Sequence, residues 1–381
     1  MTFEFATAGR IIFGNGTLAQ AAPAASQFGR RALVVTGRNT ERARPLFDAL
    51  AKEGVETQSF AVACEPTVNE TIRAVELARK TRCELVIGFG GGSVLDLAKA
   101  VAALMTNPGD PLDYLEVIGK GRPLTCKPLP CIAIPTTAGT GSEVTKNSVL
   151  SSPEHKVKVS MRHPLMLPDL AIVDPECTLS APPSVTAASG LDALTQLLEA
   201  FISRKASPMT DGFCREGLPL AVRSLRRVFE NGSDLKARGD MALASLFGGL
   251  ALANAGLGAV HGFSSPIGGM FGAPHGMVCA VLLPHVMKMN LKKLREHAPD
   301  SPALNRFTEF SRMTGGSSAE DGIQWIAALC RDLQVSSLST LGIKETDFPA
   351  LVEKAQRAGS MKTNPVELTA NELTQILREA L

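Results

Sequence analysis

At 381 residues the chain is longer than one hydrophobic core usually supports, so two domains are expected. A formal charge of +2, with 45% hydrophobic and 20% charged residues, provides no field for nucleic acid or anionic lipid, and an aromatic content of 5% is too low for base-stacking platforms. Nucleic-acid and membrane partners are thereby excluded, which leaves a small-molecule function.

The eight cysteines contain no C-x-x-C pair and lie mostly in apolar runs, which points to reduced, buried thiols. The N-terminus lacks the basic and apolar regions of a signal peptide, and no apolar stretch is long enough to cross a bilayer, so the expected location is cytoplasmic.

In chain order, residues 10–18 give a short strand and a Gly-Asn-Gly turn, residues 32–36 a second strand and residues 41–53 a helix. The unit repeats with a strand at 57–62, a helix at 69–81, a strand at 85–89 and a helix at 93–105. Such alternation predicts a parallel sheet with helices on both faces and a ligand crevice at the carboxyl ends of the strands.

The strand at 85–89 runs into Gly90-Gly91-Gly92-Ser93, where backbone amides are uncovered by side chains. Ser93 is placed to cap the next helix, with Asp96 completing an S-x-x-D pattern, so a phosphate would meet free amides and the positive end of the helix dipole. A strand at 130–135 ends in Thr136-Thr137-Ala-Gly-Thr140-Gly-Ser-Glu143, a loop of hydroxyl and amide donors suited to ribose or phosphate. Further strands are expected at 144–150, 157–161 and 171–173.

Beyond Ser184 the periodicity becomes helical, at 185–203, 218–229, 241–256, 276–289 and 304–313. The fold expected is an α/β dinucleotide-binding domain over 1–180 and an all-α domain over 181–381, with the active site in the cleft between them. In the helical half Asp192 and Gln196 stand at i, i+4 on one helical face, and His261 and His275 could reach the same point. Asp, two His and an oxygen donor form an acceptable set for a divalent first-row ion, Zn or Fe. His285 and His297 read as structural or solvated.

Gly90-Gly-Gly-Ser-x-x-Asp-x-x-Lys99, Pro135-Thr-Thr-Ala-Gly-Thr140, Gly190-x-Asp-Ala-Leu-Thr195, Gly256-Leu-Gly-x-x-His261 and Pro274-His-Gly276 occur in one order along the chain. In that order and spacing the sequence resembles the iron-containing, or group III, alcohol dehydrogenases, from about Phe13 to the C-terminus. The resemblance implies a dehydroquinate synthase-like fold, a Rossmann-like domain followed by a helical metal-binding domain. The implied activity is NAD(P)-dependent interconversion of alcohols with aldehydes or ketones, in a homodimer or larger homo-oligomer.

By the same resemblance Gly91, Gly92 and Ser93 would hold the pyrophosphate with Asp96 nearby. Thr136, Thr137, Thr140 and Lys158 would line the nucleotide, while Asp192, His261 and His275 would hold the metal. Two positions depart from the family pattern: Gln196 stands where a metal-binding His is usual, and Ser265 where a second His near the substrate is usual. Gln196 would then complete the shell as a weaker, neutral donor, and proton relay would pass through Ser265, the ribose or solvent.

The end of the second strand reads Thr36-Gly37-Arg38, with Arg42 close behind. The lack of an acid and the presence of cations favour NADP over NAD. Two other readings stay open. One is a metal-free reductase of an activated carbonyl or oxo acid, as in the maleylacetate reductases, with Lys158 polarising the substrate. The other is a nucleotide-binding protein without catalysis.

Overall fold

The computed structural model describes residues 2–381 and divides into two compact units. One spans Ala6–Ala181; the other spans Pro182–Leu381 together with the N-terminal residues up to Phe5.

The first unit holds the strands β1 (Ile11–Phe13), β2 (Arg31–Gly37), β3 (Glu56–Val62), β4 (Leu85–Gly90), β5 (Cys131–Pro135), β6 (Asn147–Ser152), β7 (Val157–Arg162) and β8 (Leu170–Val173). Its helices are α1 (Ala21–Phe28), α2 (Arg44–Lys52), α3 (Val68–Lys80), α4 (Gly92–Thr106) and the single turn α5 (Pro111–Tyr114). Six strands pair in parallel in the order β1-β8-β5-β4-β2-β3.

Side chains on a strand alternate between faces, and β2 illustrates the consequence. Ala32 and Val34 join α1 and α2 through Ala25, Leu46 and Leu50, whereas Leu33 and Val35 join α3 and α4 through Ala74, Val75, Leu97 and Val101. Burial on both faces is why the central strands read as unbroken apolar runs.

β6 and β7 form a separate antiparallel hairpin, a pairing that the sequence leaves open because alternation identifies a strand without identifying its partner. The structure departs from expectation at the start of α4. Ser93 and Asp96 do not cap α4. Gly91 occupies the N-cap with no side-chain bond, and Asp96 turns inward instead. Its carboxylate accepts from Ser142 Oγ at 2.5 Å and the Val149 amide at 2.9 Å, and pairs with Lys99 Nζ at 3.1 Å. The fully buried Lys99 also donates to the Ser142 carbonyl at 2.9 Å and to Thr145 Oγ1 at 3.0 Å, so the motif's acid and base tie α4 to the segment after β5.

Glu143 is buried beside this network, and burial pushes its carboxyl from 4.5 up to about 7. An acid with a raised folded pKa binds more protons folded than unfolded between those two values, so it stabilises the fold below pH 4.5 and loses that contribution as pH rises to 7. Glu143→Gln is therefore expected to remove a pH-dependent loss of about 3 kcal/mol over this window. Denaturant midpoints of wild type and variant, measured at both ends of the window, check this; parallel curves would refute it.

The second unit is helical: α6 (Pro183–Ile202), α7 (Pro208–Glu230), α8 (Leu235–Ala255), α9 (Ala259–Phe271), α10 (His275–His297), α11 (Pro302–Met313), α12 (Ala319–Asp332), α13 (Phe348–Arg357) and α14 (Ala370–Ala380). α6 is buried on all sides from Gly190 to Ile202, with α7, α8, α10 and α11 packed against it. Among the described residues no single helix is long and apolar enough to cross a membrane.

Candidate active site

Two sets of functional residues are each brought together, one in each unit. In the α/β unit, β2, β4 and β5 end level with one another, since Thr36 pairs with Phe89 and Gly90 with Pro135. Gly37, Gly91 and Thr136 thus leave the sheet on the same edge. Among the described residues the amides of Gly91, Gly92 and Ser93 donate to no protein acceptor, as expected of an open helix N-terminus.

The threonine loop packs directly on this turn: a Cβ on Gly92 would lie 2.6 Å from Thr140 Cγ2, so only glycine fits there. A Cβ on Gly91 would meet Thr137 Oγ1 at 3.4 Å, an ordinary contact. Free amides, a helix dipole and neighbouring hydroxyls form a cradle that fits a diphosphate.

Three other expected nucleotide contacts are accounted for as follows. Arg38 is exposed just past Gly37. Arg42 Nη2 donates to the Cys177 carbonyl at 3.2 Å. Lys158, on β7, is buried against Glu65 at 3.2 Å, so its charge is already compensated within the protein.

In the helical unit Asp192 of α6, His261 of α9 and His275 of α10 converge. Asp192 Oδ1 lies 3.3 Å from His261 Nε2 and 3.7 Å from His275 Nε2. Two residues absent from the sequence reading join them. Cys279 Sγ, one turn after His275 on α10, lies 3.8 Å from both Nε2 atoms. Glu199, two turns after Asp192 on α6, has its Oε2 2.7 Å from His261 Nδ1 and accepts from the Val260 amide through Oε1 at 2.8 Å. That bond holds the His261 ring with Nε2 turned toward Asp192, the arrangement by which a carboxylate orients a metal-binding imidazole.

The approach of α10 depends on Gly276, where a Cβ would stand 2.3 Å from the Ala188 carbonyl. Ser265 lies one turn after His261 on α9 and is half-buried. Gln196 Nε2 donates to Asp192 Oδ2 at 3.1 Å.

The electrostatics of the cluster favour a cation. Burial pushes the Asp192 carboxyl up, but His275 and His261 outweigh it and hold it below the usual carboxylate range. Burial opposes protonation of His261, yet Cys279, Asp192 and Glu199 raise it well above the ordinary histidine value. His275 is likewise raised to about 9, by Cys279 and Asp192 against burial. The Cys279 thiol is lowered by the two histidines despite burial and Asp192. Asp192 Oδ1 is buried with no hydrogen-bond partner, which is costly unless something positive meets it. The donor types and this orphaned oxygen fit a divalent ion.

Comparison with known proteins decides the family. Residues 8–175 match the family described as iron-containing alcohol dehydrogenase, and residues 186–381 match the C-terminal part of the Fe-containing alcohol dehydrogenase family. The chain belongs to the iron-containing alcohol dehydrogenase family.

It is 36% identical over 380 residues to alcohol dehydrogenase 4 of Schizosaccharomyces pombe, covering 97% of this chain and 87% of that protein. A solved 1,3-propanediol oxidoreductase superposes with a TM-score of 0.93 at 33% identity, covering all of both chains. The sulfoacetaldehyde reductase of Bifidobacterium kashiwanohense, solved with NAD+, gives 0.89 at 31% identity and covers 100% of this chain and 99% of that one. Members of the iron-containing alcohol dehydrogenase family use NAD(P) and a divalent metal, and both the diphosphate cradle and the Asp192 cluster have the chemistry for them.

Proposed function

We propose that this chain is an NAD(P)-dependent oxidoreductase that interconverts an alcohol and an aldehyde or ketone, with a divalent metal at Asp192, His261 and His275. The observation that carries this reading is the buried, unpartnered Asp192 Oδ1 facing the Nε2 atoms of two histidines. The ion would supply Lewis-acid polarisation of the substrate oxygen. The nucleotide would supply or accept the hydride.

The protein's own residues do the rest. The amides of Gly91, Gly92 and Ser93 bind the diphosphate, with Thr136, Thr137 and Thr140 beside them. Glu199 fixes the tautomer and tilt of His261. Ser265, one turn after His261 on α9, the ribose or solvent would carry the proton. Arg38, exposed beyond Gly37 where an NAD-selecting acid would stand, favours NADP by meeting a 2′-phosphate. The pairing of Lys158 with Glu65 argues against its acting as the electrophile of a metal-free reductase.

The test is oxidation of NADPH and NADH by the metal-loaded protein across aldehydes, ketones and oxo acids. Turnover of simple aldehydes or ketones is expected, with kcat/KM about 10-fold or more higher for NADPH, roughly what one lost charge contact is worth. Nucleotide binding without turnover of any carbonyl would overturn the reading.

A further inference from the structure

The Asp192 cluster has one donor more than the reading above uses, and that donor is Cys279 rather than the Gln196 that the sequence predicts. Gln196 follows Asp192 by one helical turn, but its amide is committed elsewhere. Nε2 donates to Asp192 Oδ2 at 3.1 Å, and turning the amide over would set its oxygen against that carboxylate. Oε1 consequently faces α8, where a Cβ on Gly248 would lie 3.2 Å away. The amide oxygen is buried beside Gly248 without a hydrogen-bond partner, while the nitrogen end of the amide is the one that meets Asp192.

Cys279 stands beside both imidazoles. It follows His275 by four residues on α10, so the two side chains project from one face. Its Sγ is buried and 3.8 Å from the Nε2 atoms of both His261 and His275. The ligand atoms of Asp192, His261, His275 and Cys279 all lie within 4.8 Å of one another.

A tetrahedral ion with metal–sulfur bonds of about 2.3 Å and metal–nitrogen or metal–oxygen bonds of about 2.1 Å needs sulfur–nitrogen edges near ~3.6 Å and oxygen–nitrogen edges near ~3.4 Å. The two sulfur–nitrogen edges of 3.8 Å and the two oxygen–nitrogen edges of 3.3 and 3.7 Å each lie within a few tenths of an ångström of these values, and the remaining two edges are no longer than 4.8 Å.

We propose that Cys279, not Gln196, is the fourth protein donor, and that the set Asp192 Oδ1, His261 Nε2, His275 Nε2 and Cys279 Sγ selects zinc over iron. Thiolate is a soft ligand, and a mixed sulfur, nitrogen and oxygen shell without geometric demands suits a d¹⁰ ion. Gln196 becomes a positioning residue that fixes Asp192 so that Oδ1 is presented. This inference rests on the metal-dependent reading above.

X-ray absorption at the zinc edge tests it on full-length protein stripped with chelator and reloaded with one equivalent of Zn²⁺. Wild type is expected to give one sulfur scatterer near ~2.3 Å among nitrogen and oxygen neighbours. In Cys279→Ser the sulfur signal should vanish and zinc affinity should fall by more than the roughly 10- to 100-fold that loss of an outer partner costs. In Gln196→Ala the sulfur signal should persist. Cobalt loading gives a second readout, a thiolate charge-transfer band in the near ultraviolet that Cys279→Ser abolishes.

A bound zinc with only nitrogen and oxygen neighbours in wild type, or a sulfur signal surviving Cys279→Ser, would overturn the assignment of Cys279 while leaving the metal-dependent dehydrogenase standing. Failure of the wild-type protein to take up any zinc or cobalt would overturn both.

Discussion

His261→Ala is expected to abolish stoichiometric metal binding and to lower kcat/KM by roughly 10³-fold or more, since a Lewis acid contributes several kcal/mol to stabilising developing charge. The same change leaves the Glu199 carboxylate buried without its imidazole, retaining its bond from the Val260 amide. A buried ion deprived of its partner destabilises by about 3 kcal/mol, so thermal unfolding has to be measured beside activity. His275→Ala separates the two effects. Its ring is half-buried and not bonded to Glu199, so metal and turnover should be lost with a smaller drop in Tm. Retention of both metal and turnover in either variant would exclude these histidines as ligands.

Gly91→Asp should weaken NAD(P)H binding by roughly 100-fold or more, because a carboxylate about 4 Å from a phosphate costs several kcal/mol at a protein surface. Gly91 has φ −75° and ψ −174°, a conformation open to any residue, and its Cβ would make only an ordinary contact with Thr137. An aspartate at an N-cap also bonds the first free amides of its helix and typically adds about 1 kcal/mol of stability. The variant is thus expected to melt no lower than wild type while losing its nucleotide, which a fluorescence titration with NADPH and a parallel melt can check. Unchanged affinity would mean that the diphosphate does not lie on this turn.

Much of the α/β unit was legible because its strands are buried on two faces. Leu85-Val86-Ile87 and Ile132-Ala133-Ile134 are continuous apolar runs for that reason, and the glycines after the first of them mark a turn whatever its ligand. Boundaries were lost where tertiary contacts decide them. Helical spacing marks α7 only from 218, yet the helix begins ten residues earlier, at Pro208 behind a Ser207 and Thr210 capping box, and carries Pro219 inside it. Asp96 looked like a capping acid because the sequence gives no sign that the loop after β5 folds back to place Ser142 and the Val149 amide against it.

In the helical unit Asp192, His261 and His275 were legible as ligand types on separate elements, and they meet. Cys279 and Glu199 were not read as part of the site. A thiol inside the apolar run Met277 to Leu283 has the pattern of a buried core residue, and only its spacing of four from His275 could have raised it. Glu199 lies two turns from Asp192 on the same helix face, a spacing that could have suggested a supporting carboxylate.

The most direct test of the account is turnover before and after metal removal. Protein freed of divalent ions by chelation should reduce no aldehyde or ketone with NADPH and should recover activity on addition of one equivalent of Zn²⁺. Undiminished turnover by the metal-free protein would contradict the account at its centre.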